Sequence, residues 1–413
     1  MVDPNESTNL PLLNGARVVI VIGPFDLGGA ERQALLLARY LAREQNARVE
    51  MWGMRKPGRV SDLCDKYGIP WRVAPIPLDW HPSRPKQLAR LLKFAWALRS
   101  AKADVILPFM FYQSVACALV WRLAGARAFV WNQRCEGRDR LGPAAEKLAV
   151  RLTPYFIANS VHGSQFLNQK LGAPPDRIRV VYNGVEPAPA ERDRAAWRAE
   201  LGVTDDCFLA CMVANLQLFK DHATLLRAWR IVVDRLKEMG RQAVLLLAGR
   251  FDHTHERLKV LAYDLDLGRT VRFLGGVSDV SGLLSAVDLG VHSSINEGCP
   301  NGVLECMAAG LAVVGTDYAG IREAVGPAGF PFLAEPKNPE ALAEQILRLA
   351  LDPELRRKAG ETNRRRITAE FSPYGMYQNV MSVIGEAMGG ARSGEHISSS
   401  RLVLGERHQS SEQ

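Results

Sequence analysis

Two carboxylates and two cations in the second half of the chain are spaced for chemistry on a charged ligand. Glu297 and Glu305 stand with seven residues between them, where a short apolar run, Leu289 to His292, gives way to polar Ser293, Ser294 and Asn296. A helical pattern opens at Pro300, so the segment reads as strand, turn, helix. Proline is tolerated at a first helical position because its missing N–H would have had no intrahelical partner. The free amides of Asn301, Gly302 and Val303 are therefore expected to line the helix entrance, where unpaired donors and about half a positive charge suit a phosphate. Glu297 falls in the turn before that entrance and Glu305 in the helix's second turn, so both can face one pocket. An ionised carboxylate accepts two hydroxyl donors at once, which suits a sugar. Lys220, beyond the apolar run Phe208 to Leu216, is a point charge that can neutralise a departing diphosphate. Arg250, closing the run VLLLAGR, is expected at the same sheet edge.

Glu297 and Glu305, with Gly298, Pro300 and the downstream MAAG, VVGTD and AGIREAV, resemble the signature of the family 4 retaining glycosyltransferases, which have the GT-B fold. In that family the first acid contacts the donor sugar, the second holds the nucleotide ribose, and the helix-start amides take the diphosphate. GGAER, with Gly28 and Gly29 at a strand-to-helix turn, is similar to the family's first loop, which covers the donor diphosphate and borders the acceptor. The resemblance also places Gly275 and Val277 near the nucleotide base. This chain departs from the family at two places. Asn215 stands where the family's usual arginine lies five residues before the lysine, and Gln217 where another is sometimes seen. FVWNQRCEGRDR, residues 129 to 140, offers Asn132, Gln133 and Arg134 where many members carry a histidine, which makes Arg134 the candidate there. The donor site is thus expected to be one cation short, with Arg250, or Arg134 acting across the cleft, making it up.

These residues need rigid elements behind them. Ala16 to Ile22 is a continuous apolar run of the kind that forms a buried parallel strand. Similar runs at Arg48 to Trp52, Trp71 to Ala74, Val105 to Pro108, Ala128 to Trp131 and Phe156 to Ala158 alternate with helical patterns, which predicts a parallel sheet with helices on both faces. Near Asn183 a Pro/Ala/charged linker intervenes, and a second domain begins afresh at Phe208. The expected class is α/β, GT-B, with two Rossmann-like parallel-sheet domains facing across a cleft. The boundaries are a flexible start over 1–15, an acceptor-binding domain over 16–185, a nucleotide-sugar domain over 186–371, a terminal helix near 372–388 returning to the first domain, and a disordered tail over 389–413. The helical stretch Arg84 to Lys102 has six basic residues and no acid, with Leu88, Leu91, Leu92, Ala95 and Leu98 as its apolar stripe and Phe94 and Trp96 off it. Such a helix is either the solvated outer face of a Rossmann unit or a contact for anionic membrane.

A chain of 413 residues with 47% hydrophobic and 23% charged content has the make-up of a globular protein, and the net charge of +8 favours anionic partners. Seven cysteines without a CxxC pair fit reduced thiols. No apolar run approaches the ~18 residues needed to span a bilayer. The expected location is the cytoplasm, with a peripheral position on the inner membrane face left open. Asp264 and Asp266 spell DxD within a helical charge pattern, and no metal or other cofactor is expected. The resemblance implies a hexosyltransferase that moves a sugar from a nucleotide diphosphate donor to a hydroxyl acceptor with retention, in polysaccharide, lipopolysaccharide or glycolipid synthesis. Its partners would be the nucleotide sugar and a glycan or lipid-linked acceptor, without nucleic acid. Two alternatives stay open: a catalytically inactive nucleotide-sugar sensor or partner subunit, and a nucleotide-sugar epimerase of similar architecture.

Overall fold

The computed structural model describes residues 12–54, 56–76, 83–135 and 141–389. Thirteen strands among them build two wholly parallel sheets. The first contains β1 (Arg17–Pro24), β2 (Arg48–Met54), β3 (Trp71–Val73), β4 (Val105–Pro108), β5 (Ala128–Gln133), β6 (Tyr155–Ala158) and β7 (Ile178–Val180), in the order β3-β2-β1-β4-β5-β6-β7. The second contains β8 (Phe208–Val213), β9 (Ala243–Ala248), β10 (Val271–Gly275), β11 (Leu289–His292), β12 (Val313–Thr316) and β13 (Leu333–Ala334), ordered β10-β9-β8-β11-β12-β13. Val18 to Ile22 and Val244 to Ala248 are buried at every position, because helices cover both faces and a parallel strand has no wet side.

In each sheet the strand order reverses once, between β1 and β4 and between β8 and β11. A crevice opens at such a switch point, beyond the carboxyl ends of the strands, and ligands of open α/β sheets bind there. Gly28 and Gly29 follow β1, Lys220 follows β8 and Glu297 follows β11, so the sequence motifs fall at the two switch points. Close packing holds the elements in register. A Cβ on Gly302 would lie 2.0 Å from the Val213 carbonyl oxygen and one on Gly249 would lie 1.9 Å from that of Ala214, so the helix Asn301–Ala308 and the β9 exit both need glycine where they press on β8.

The chain passes between the two sheets twice, and the two passages touch. Val185 N–H donates to Phe371 O at 2.9 Å, and a Cβ on Gly184 would meet Pro373 Cα at 2.7 Å. The last described helix, Pro373–Ala387, then packs on the first sheet, placing Met376, Val380, Val383 and Ile384 in one cluster with Val18, Ile20 and Leu107.

Several expectations change. Leu13, within the start read as flexible, is fully buried in that cluster, whereas residues 1–11 lie outside the described ones. So do 390–413 of the tail, and 136–140 of the stretch after β5. In the helix Arg84–Ser100 the buried side chains are Gln87, Phe94, Ala95 and Leu98. Leu88 and Leu92, expected in the buried stripe, are exposed, and Phe94, expected off it, is fully buried. Leucines occur on both sides of this helix, so spacing alone did not select the side that the bulkier phenylalanine takes.

Candidate active site

The second sheet builds one half of the cleft. After β8 the chain makes a short turn, Leu218–Lys220, and Asp221, with φ +46°, caps the following helix by accepting from Thr224 N–H. The loop after β11 is tied to that turn. Ser293 Oγ donates to Asp221 O at 2.9 Å, Ser294 Oγ donates to Phe219 O at 2.8 Å, and Ile295 N–H donates to the same carbonyl at 2.9 Å. These bonds hold Lys220 Nζ against Glu297 Oε1 as an ion pair. His292, the last residue of β11, places Nε2 at 3.1 Å from the same oxygen. A Cβ on Gly320 would lie 2.3 Å from Glu297 O, so the helix Ala319–Val325 closes on this loop only because that residue is glycine.

Burial alone would raise the Glu297 pKa, but the Lys220 charge and the His292 hydrogen bond outweigh it and hold the carboxyl at about 2. Its pairing therefore stabilises the fold fully above the usual carboxylate pKa, and that share is lost as pH falls from 4.5 toward 2. Burial, reinforced by Lys220, lowers the pKa of His292. The imidazole is neutral near pH 7, and an ionised Glu297 assigns its one N–H to Nε2.

Pro300 is the residue before the helix Asn301–Ala308, not its first turn, and its carbonyl accepts from Val303 N–H at 3.1 Å and Leu304 N–H at 3.2 Å. The Val303 amide, expected to face a phosphate, is thus committed within the helix. Asn301 and Gly302 contribute the amides that a first helical turn leaves over. The Asn301 side chain does more than its amide. Its Oδ1 accepts from Asn183 Nδ2 at 2.7 Å and its Nδ2 donates to Gly29 O at 3.0 Å, joining the interdomain crossing and the glycine turn to this helix start.

The first sheet supplies the facing wall. Arg32, in the first turns of the helix Gly29–Arg43, forms an ion pair with Glu305 across the cleft. Burial raises the Glu305 pKa and Arg32 counters it. The sequence reading missed Arg32 and His292; Arg32 was in view as the last letter of GGAER. A Cβ on Gly28 would lie 2.5 Å from Glu31 Oε2, and one on Gly29 would lie 2.9 Å from Asn301 Nδ2, so a side chain at either position would displace the Glu31 carboxylate or the Asn301 amide. Arg134 is buried, with Nη1 donating to Asn183 Oδ1 at 2.8 Å and its guanidinium 4.8 Å from the Phe109 ring centroid. Burial pulls its pKa down to about 10, which leaves it charged. Gly298 lies under it: a Cβ there would meet Asn159 Oδ1 at 2.8 Å and Arg134 O at 3.2 Å.

Arg250 and Asn215 come together, but through the backbone: Arg250 N–H donates to Asn215 Oδ1 at 3.0 Å. The Arg250 guanidinium is taken by Asp252, at 2.7 and 3.1 Å. Beside it the Phe251 and His255 rings stack in parallel, centroids 3.7 Å apart, against Gly275 at the end of β10. Val277, after β10, is half-buried. Asp264 closes the helix His255–Asp264, whose start is the end at this sheet edge, so the DxD spelling lies away from the cleft. Among the described residues no cluster of three or more His, Cys, Asp or Glu side chains is arranged to hold a metal ion.

Glu31 sits at the cleft entrance with its pKa raised to about 7, first by burial and then by Asp26, against the pull of Arg250 and two backbone amides. Here the folded chain binds a proton that the unfolded chain has lost, so stability falls as pH rises from 4.5 through about 7. Glu31→Gln should therefore raise the Tm at pH 8 and leave it nearly unchanged at pH 4.5. An equal shift at both pH values in calorimetric scans would show that Glu31 does not carry the effect.

Two parallel-sheet domains with their switch points facing each other, and a basic, hydroxyl-accepting site between them, define the GT-B class. Residues 193–366 match the model for Glycosyl transferases group 1, and residues 27–188 match Glycosyltransferase Family 4. The chain has the GT-B fold, and its two halves are related to these two glycosyltransferase families. The D-inositol 3-phosphate glycosyltransferase of Corynebacterium jeikeium is 32% identical over 214 residues, 50% of this chain and 51% of that protein. The chain spans about half the length of the curated relatives it matches. Among solved structures, Anabaena HepE in complex with UDP and glucose superimposes with a TM-score of 0.76 at 21% identity, covering 90% of this chain and all of that one. WaaG, a glycosyltransferase involved in lipopolysaccharide biosynthesis, gives 0.66 at 17% identity, covering 89% of this chain and 99% of WaaG.

Proposed function

We propose that the chain transfers a sugar from a nucleoside diphosphate donor to a hydroxyl acceptor, with retention at the anomeric carbon. The observation that carries this reading is the cleft itself, where Lys220 with Glu297 faces Arg32 with Glu305. Each acid already holds a cation, and an incoming diphosphate competes for both cations. That exchange frees Glu297 for the sugar hydroxyls and Glu305 for the ribose, while Lys220, Arg32 and the Asn301 and Gly302 amides take the phosphates. The donor's bond from anomeric carbon to phosphate oxygen breaks, the acceptor oxygen bonds to the same face of that carbon, and its proton passes to the departing phosphate oxygen. The Phe251–His255 stack against Gly275 offers an aromatic face that suits a nucleotide base. HepE, solved with UDP and glucose, supports a nucleotide-sugar donor, and WaaG, involved in lipopolysaccharide biosynthesis, supports a role in glycan or lipopolysaccharide synthesis. Among the described residues no helix is long and apolar enough to cross a membrane.

Incubation with UDP-, GDP- and ADP-sugars, with nucleoside diphosphate release as readout, tests the reading. Release that depends on a hydroxyl acceptor supports it, a rearranged sugar nucleotide without acceptor indicates an epimerase, and binding without turnover indicates a sensor. The two acids separate in the same assay. Glu305→Ala should weaken binding of the free nucleoside diphosphate, whereas Glu297→Ala should spare it and lower kcat, because a contact tightened at the transition state appears in kcat rather than KM. Equal loss of nucleotide affinity in the two variants, measured by titration calorimetry, would overturn their assignment.

A further inference from the structure

One buried charge of the cleft has no counterpart in the chain. Among the described residues two arginines are buried, Arg198 and Arg134, at 2% and 7% exposure. Arg198 is compensated. Asp205 and Asp288 stand 3.5 and 3.7 Å from its guanidinium, and the carbonyls of Ala286 and Thr204 each accept from it at 2.8 Å. Arg134 is held by neutral groups instead. Its Nη1 donates to Asn183 Oδ1 at 2.8 Å and its Nη2 to Asn132 Oδ1 at 3.3 Å, and its buried Nε–H meets no acceptor among the described residues. The one titratable neighbour among them that bears on it is the Cys299 thiol, which burial pushes up to about 12 and so keeps uncharged.

Taking a guanidinium out of water without an anion is unfavourable, and neutral acceptors recover only part of the loss. An uncharged donor at position 134 could bond Asn132 and Asn183 without burying a charge, so tying those two residues together does not account for an arginine. Its place in the cleft does. Arg134 follows β5 at the carboxyl edge of the first sheet, and Asn183, which fixes its Nη1, also donates to Cys299 O at 3.2 Å and to Asn301 Oδ1 at 2.7 Å. The cation is thereby pinned to the loop carrying Glu297 and to the helix start proposed for the phosphates. Three of its five N–H donors remain, Nε–H among them. A planar fork of this kind matches the two oxygens of a carboxylate or phosphate. Beside it the buried Asn159 Oδ1 has no partner among the described residues and can accept a hydroxyl. We infer that Arg134 receives an anionic group, carboxylate or phosphate, carried by one of the two sugars that meet in the cleft. The inference rests on the glycosyl-transfer reading and narrows it to an anionic glycan, with the charge on either the transferred sugar or the acceptor.

Titration calorimetry on the full chain with matched ligands tests this. The donor arm sets UDP-glucuronate against UDP-glucose and GDP-mannuronate against GDP-mannose. The acceptor arm sets glucuronate and glucose 6-phosphate against glucose, with and without UDP. In at least one pair the anionic member should bind about tenfold or more tightly, and the arm in which this occurs tells which sugar brings the charge. Arg134→Gln should shrink that preference to about threefold or less. Arg134→Lys, which keeps the charge without the fork, should retain part of it. Should Arg134→Gln lose the parent's circular dichroism spectrum, the parent and Arg134→Lys decide. Equal affinity within every pair, or a preference that a folded Arg134→Gln variant keeps in full, would overturn the inference. Failure of the parent to bind UDP or GDP would count against the transfer reading instead, because the free anionic sugars still report on Arg134.

Discussion

Lys220→Ala is expected to lower sugar transfer by about 10²–10³-fold, because it removes a preorganised charge from the leaving diphosphate, with the circular dichroism spectrum unchanged. A second readout follows from Glu297. Lys220 and His292 are what hold that carboxyl at about 2 against burial. Without the lysine the balance tilts toward burial, Glu297 titrates at higher pH, and the residual activity should acquire an acid limb that the parent lacks. Lys220→Ala combined with Glu297→Gln should be little worse than either alone, as for residues that act as one unit. Multiplicative losses in the pH–rate comparison would show that the two side chains work independently.

Arg32→Ala is the second large effect. The sequence candidates for the cation missing at Asn215 are Arg250 and Arg134, but Arg250 is held by Asp252 and Arg134 by Asn183. Arg32 already reaches Glu305, the acid proposed to hold the ribose, from the opposite wall, so it is the arginine best placed to meet a diphosphate. Its loss should reduce kcat/KM by about 10²-fold, and Asn215→Arg in the same background should restore part of it by returning charge to the donor site. An Arg32→Ala enzyme with a lower Tm and an unaltered kcat/KM would reduce this residue to a tie between domains.

What could be read from the chain was local. Glu297, Gly298 and Glu305 lie within one strand-turn-helix unit, and a spacing inside one unit survives whatever surrounds it. Lys220 follows the neighbouring strand and was legible for the same reason. The pairing of Arg32 with Glu305 joins residues 273 positions apart; it depends on how one domain sits on the other, and no periodicity encodes that. The parallel sheets were visible as apolar runs because burial on both faces leaves no alternation to misread. The Arg84–Ser100 helix was misread because an amphipathic pattern presumes one apolar side, and this helix has two. Pro300 was misplaced by one residue, which moved the Val303 amide from the ligand to the helix.

The returning helix Pro373–Ala387 sets an order of assembly. The first domain is the first to leave the ribosome, yet the cluster containing Val18, Ile20 and Leu107 also requires Met376, Val380 and Ile384. Each such side chain is worth about 1.5–3 kcal/mol when buried, comparable with a sizeable part of a domain's whole margin of stability. The domain made first is therefore finished last, after the second has been completely synthesised. During that interval its unfilled groove exposes apolar surface to solvent and to chaperones. Truncation before residue 373 should accordingly disable the half of the molecule farthest from the cut.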